Sequence, residues 1–294
     1  MTLAQLKTLI PEDAQAKGRT AAIMGGILLS FDPIFVRLSG VGGYETAFLF
    51  GLFSALSMGT LIQATDARGL VGTIRESGWP AFVSGLIILG SASMFVLSIK
   101  HTSVANTMMI LSGRPVLTAA AAWLVLGERT TARLWLAIVG VICGMAVVVS
   151  GSLQSGNVHG DALALVGVTC LAVNGVMWRH FKSMSRMLVV GYGGFFLAAI
   201  MFFLVDLSAI PARTWLVMAC MGLLSAPAGR VLNAVSSRYI PAAEMATYAL
   251  LSPVLAPIWV FLLFREQPPT ATLAGGTLIL ATIATYIVAT ARRP

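Results

Sequence analysis

The stretch Val104–Glu128, VANTMMILSGRPVLTAAAAWLVLGE, decides the fold, because it returns over Ala242–Glu266 as AAEMATYALLSPVLAPIWVFLLFRE. A shift of 138 residues lays Ala105 on Ala243, Pro115 on Pro253, Val116 on Val254, Leu117 on Leu255, Leu124 on Leu262 and Glu128 on Glu266. Apolar composition alone does not hold a proline, a Val-Leu pair and a terminal glutamate in one register. Further out, a shift of 142 sets Gly18 on Gly160, Gly25 on Gly167, Asp32 on Asn174 and Arg37 on Arg179. Two halves of one chain therefore carry the same pattern.

The medium follows from composition. With 57% hydrophobic residues, 10% charged residues and a mean hydropathy of +0.89, the chain cannot cover a water-exposed surface with polar groups. Apolar runs of bilayer-spanning length fall near 20–38, 44–63, 79–99, 103–126, 132–151, 161–179, 189–206, 213–236, 241–264 and 270–290. The expected fold is an all-α integral membrane protein of ten transmembrane helices. The first run lacks a small-residue cleavage site and is expected to stay as a helix rather than a signal peptide. The division is a leader at 1–18, a first five-helix repeat at 19–155 and a second at 156–294.

Net charge is +8, but the basic residues are scattered singly or in short groups between apolar runs, a topology signal rather than a nucleic-acid footprint. With the N-terminus cytoplasmic, that side takes thirteen Lys and Arg against Arg37, Lys100, Arg213 and Arg265 on the other. Both termini are then cytoplasmic. Five spans per repeat force the second repeat to enter from the opposite side, giving a 5+5 inverted-topology repeat around a central cavity. Such pairs suit alternating access around a site near the midplane.

Ala105, Pro115, the run Leu126-Gly127-Glu128 and the following helix with Gly140 and Gly144 resemble the drug/metabolite transporter superfamily, in its EamA-type ten-helix exporters. The second copy keeps Ala243, Pro253 and Glu266, while Arg265 replaces the glycine. The resemblance implies a basket of helices around a cavity and, in its bacterial amino-acid exporter branch, export of amino acids, aromatic and other neutral ones among them with broad selectivity, or of related metabolites across the inner membrane. Drug, sugar-phosphate and nucleotide-sugar carriers share the pattern at this level.

A charge at the bilayer centre costs about 3 kcal/mol on insertion scales, so each needs a partner, water or a task. Arg114, in mid-span before Pro115, is the first candidate, as partner of a substrate carboxylate or phosphate or of an intramembrane acid. Asp32, beside Pro33 and matched by Asn174, either binds an ammonium, carries a proton or pairs with Arg114. Arg230 either does the same work or snorkels to the interface. Glu244, matched by Asn106, shares a helix face with Tyr248 and Ser252; it lines the cavity with them, or simply favours a helix N-terminus after Pro241. Trp178 and Trp259 either stack on the solute or anchor at the interface. Pro33, Pro115, Pro253 and Pro257 are candidate hinges, with kinks expected where each removes a backbone hydrogen bond.

The three histidines lack the spacing of a helical metal site, and Cys143, Cys170 and Cys220 lack paired spacing. No P-loop supplies nucleotide hydrolysis. A membrane enzyme acting on lipids is the reading from another class, but clustered aspartates, HExxH and a usable Ser/His pair are missing. The expectation is a monomeric carrier for a small-molecule substrate in the lipid bilayer, with no cofactor, no metal and no nucleic-acid partner.

Overall fold

The computed structural model describes residues 14–127, 131–156, 158–236, 239–240 and 242–291. Glu128, Pro241 and the first thirteen residues of the expected leader lie outside them. The described helices are α1 (Ala14–Ser30), α2 (Asp32–Leu38), α3 (Gly43–Thr65), α4 (Gly69–His101), α5 (Val104–Ser112), α6 (Arg114–Leu126) and α7 (Ala132–Ser155). They continue as α8 (Val158–His180), α9 (Arg186–Phe202), α10 (Ala212–Ala219), α11 (Ala226–Ser236), α12 (Ala242–Ala249), α13 (Leu251–Phe264) and α14 (Thr270–Ala291).

Among the described residues, eight helices are long and apolar enough to cross a membrane, or nine when α5 and α6, bent by 41°, count as one span. The expected seventh span, 189–206, is the 17-residue helix α9, which closes at Phe203. At 1.5 Å per residue it is about 26 Å long, somewhat short of the hydrocarbon core. The expected third span, 79–99, lies within the longer α4, where non-helical Gly78 (φ 57°) joins a nine-residue preface at 69–77 to the apolar run. Glycine carries no Cβ penalty in that region.

Breaks fall beside prolines. The first span is interrupted at Phe31, just before Asp32 and Pro33, and the fourth at Gly113, just before Arg114 and Pro115. Leu250 separates α12 from α13, three residues before Pro253, whereas Pro257 sits inside continuous α13. Ahead of Pro227, residues Cys220–Ser225 form a π-helical turn linking α10 to α11.

Glycines set the close approaches, as expected where small residues let helix backbones meet. A Cβ on Gly51 of α3 would lie 2.7 Å from the Gly194 carbonyl of α9, and one on Gly194 2.7 Å from the Gly51 carbonyl. Gly144 of α7 and Gly275 of α14 block each other in the same way, at 2.9 and 2.5 Å. Two contacts recur with shifted numbers. Gly18 abuts Tyr239 and Ile240, and Gly160 abuts His101 and Thr102; Gly25 abuts the Gly229 carbonyl, and Gly167 the Ser91 carbonyl. Accordingly α11 packs along α1, and α4 along α8.

Both ends of the described chain share one face, where Arg19 bonds Glu244 and Arg133 donates to the Ala289 carbonyl. The main apolar core, around Leu49, Val96, Leu197 and Met218, is on the opposite side of the bundle's centre, beneath Arg37 and Lys100.

Candidate functional site

A cavity of about 930 Å³ opens at the face that carries the chain ends. Its wall takes Arg114 and Leu126 from α6, Gly175, Trp178, Arg179 and His180 from α8, Lys182 and Arg186 from the turn into α9, and Met245 and Ala249 from α12. Arg114 is the first residue of α6. The break at Gly113 ends α5 one residue earlier, and Pro115, preset for a helix start, begins a new axis.

Two of the lining cations share the Trp178 ring. The Arg114 guanidinium carbon lies 5.5 Å from its ring centroid and that of Arg186 5.4 Å, both within cation–π range. Its indole N–H is buried and has no partner among the described residues. One turn deeper, fully buried Asn174 accepts from Ser84 through Oδ1, while its Nδ2 is likewise unpartnered. Gly175 is required between them, because a Cβ there would meet Thr118 Cγ2 at 2.6 Å.

The opposite face is tied across. Arg37, at the end of α2, meets Glu266 at 3.0 Å and donates to the Thr102 carbonyl, and Glu266 accepts the Val104 N–H. Lys100 donates to Ser39 and to the Val41 carbonyl, both at 2.8 Å. Just inside, the fully buried Asp161 accepts from Thr102 at 2.7 Å and from Asn106 at 3.0 Å. Asn106 also donates to Ser152 and accepts from Thr272.

Of the candidates read from the sequence, Arg114 and Trp178 line the cavity, and Asn174 lies one helical turn from Trp178. Asn106 is in the buried knot around Asp161, away from the cavity. Glu244 pairs with Arg19 at 2.6 Å and accepts from Tyr248 at 3.3 Å, so these two make a mouth-side pair. Ser252 is half-buried on α13. Trp259 stacks on Phe31 at 5.4 Å and donates to Ser30. Asp32 is buried with Oδ1 unpartnered; the cation near it is Arg230, not Arg114.

Sequence reasoning missed Asp161, Lys182 and Arg186. The last two were counted only as topology charges. Asp161 carries a legible signal: a shift of 142 lays it on Arg19, so the first helix of each half bears a charge at the same place.

The EamA-like transporter family matches residues 16–150 and 158–288, most of the chain in two segments. The chain belongs to this family. Its membership makes it a multi-pass membrane transporter of small molecules. A relative in Bacillus subtilis (strain 168), described as the uncharacterized transporter YyaM, is 27% identical over 231 residues, covering 74% of this chain and 75% of its own. A solved crystal structure, 19% identical and covering 94% of this chain and 98% of the other, superposes with a TM-score of 0.64, which shows a shared fold. The EamA assignment places the duplicated Val104–Glu128 pattern inside both matched segments.

Proposed function

We propose that this EamA-family chain is a secondary transporter that exports amino acids or related small metabolites from a bacterial cytoplasm by alternating access. The observation that carries it is an asymmetry: a cavity opens at one face while Arg37–Glu266, Lys100 and the Asp161 knot tie the other across. This is the arrangement of a carrier facing the side of its chain ends. The excess of positive charge on that side makes it the cytoplasmic side of the inner membrane.

Ten spans in two inverted five-helix repeats, 19–155 and 156–294, are supported by the two family segments and by the recurring glycine contacts. In that count α9 is the seventh span and bent α5–α6 the fourth. The breaks before Pro33, Pro115 and Pro253 are the hinges, and Arg114 with Trp178 receives the solute.

Purified protein in liposomes loaded with radiolabelled amino acids, with and without a pH gradient, tests this reading against folded Arg114→Ala. Flux of several amino acids, lost in the variant, is the expected result. Wild-type liposomes no leakier than empty ones to any amino acid or phosphorylated sugar would refute it.

A further inference from the structure

The cavity's charged wall has one sign. Arg114, Arg179, Lys182 and Arg186 line it, with His180, and among the described residues no carboxylate does. A nearby acid is spoken for. Glu244, next to the lining residue Met245, is held by Arg19, while Glu266 and Asp161 are engaged at the opposite face by Arg37 and by Thr102 and Asn106. Arg114, Lys182 and Arg186 make no ion pair among the described residues.

Two of these cations share one indole. Arg114 and Arg186 both lie within 5.5 Å of the Trp178 ring centroid, so like charges are brought together with no anion between them. Retention of surface Lys and Arg on the cytoplasmic side accounts for Arg186 and Lys182. It does not account for Arg114, which sits in the middle of a span. The unpartnered groups beside it have the same preference: the buried Trp178 N–H and the Asn174 amide, one helical turn apart, are both hydrogen-bond donors. A site of guanidiniums and unused N–H groups lacks an acceptor for an ammonium and matches a carboxylate or phosphate.

We infer that the cavity selects its cargo by negative charge, holding a small organic anion by its carboxylate or phosphate on Arg114, Arg186 and the indole N–H of Trp178. This deepens the transporter reading and rests on it. Among amino acids it singles out the acidic ones, and it extends the cargo to dicarboxylates and phosphate monoesters. The volume of about 930 Å³ leaves ample room for such a metabolite.

The test is thermal stability of the purified full chain in an uncharged detergent, titrated with succinate, glutamate, glycerol 3-phosphate, leucine and lysine. A ligand that binds only the folded state raises the melting temperature saturably. Succinate, glutamate or glycerol 3-phosphate is expected to do so, and leucine and lysine are not. Arg114→Gln and Arg186→Gln should each weaken the effective anion about tenfold or more, the size of a lost charge-assisted hydrogen bond. Trp178→Phe keeps a ring and removes only the N–H, so it tests the site should Arg114→Gln fold poorly. Arg75→Gln, which removes an exposed cation outside the cavity wall, should leave the titration unchanged. Stabilisation by leucine or lysine with the anions inert overturns the inference while leaving a carrier. So does no response to any solute, or a response only to added phosphatidylglycerol, which would assign the cations to lipid headgroups. Saturable anion binding without anion flux in liposomes would instead uphold the site and refute transport.

Discussion

Arg37 and Glu266 meet at 3.0 Å across the face opposite the chain ends, joining the end of α2 to the segment just after α13. Each is about a quarter exposed, and Glu266 also holds the Val104 N–H at the start of α5. Three segments are thus tied at one carboxylate. Glu266→Gln keeps the shape and removes the charge. It should cost about 1 kcal/mol of stability, the range for a partly exposed pair with an added hydrogen bond. Thermal denaturation of Glu266→Gln, Arg37→Gln and the double variant checks it. The double variant should lose less than the sum of the two single losses, and a loss equal to that sum would show that the two side chains act independently.

The Asp161 knot should be more sensitive. Asp161, Asn106 and Thr102 are buried, and removing the carboxylate takes the acceptor from the Thr102 hydroxyl and leaves the Asn106 amide with Ser152 as its main partner. Asp161→Ala is expected to destabilise by roughly 3 kcal/mol. Asp161→Asn, which keeps an acceptor for Thr102, should cost less. Equal melting temperatures for wild type and Asp161→Ala would remove the knot from the account.

The contact between α3 and α9 depends on two missing side chains. A Cβ on Gly194 would lie 2.7 Å from the Gly51 carbonyl and 2.9 Å from the Ala55 amide nitrogen, so backbone must move. Gly194→Val should destabilise by about 2 kcal/mol or more through overpacking. By contrast, Gly59→Ala has open space around its Cβ and a helix to support it, and should be neutral or slightly stabilising. Chemical denaturation of the two variants separates them.

The all-α membrane class was legible in the apolar runs, and the helix breaks were legible in the repeated prolines. Pro115 and Pro253 fixed the register, and helix breaks stand just before both. Arg114 was legible as a candidate because a charge in mid-span calls for a partner, whereas Trp178, which also lines the cavity, reads equally as an interface anchor. Asn106 was read into the cavity because it shares a register with Glu244, and that register does hold. Glu244 meets Arg19 at the mouth, and Asn106 meets Asp161, the counterpart of Arg19, at the opposite end. What the sequence could not give was which end stands open. Lys182 and Arg186 read as topology charges because only the folded turn between α8 and α9 brings both to the cavity wall and Arg186 beside Trp178. Asp32 and Arg230 are 198 positions apart, and nothing local joins them.

Ala249 offers the most direct test that the cavity is the transport path, since it is exposed on the cavity wall near the mouth. The three free cysteines, Cys143, Cys170 and Cys220, are first replaced by serine, and Ala249→Cys is introduced and reconstituted. The measurement is solute flux after labelling with a charged, membrane-impermeant thiol reagent applied from the side of the chain ends. The account predicts that labelling is complete from that side, is slowed by saturating cargo, and stops flux. Full flux through completely labelled protein would contradict it, because the cavity would then be no part of the path.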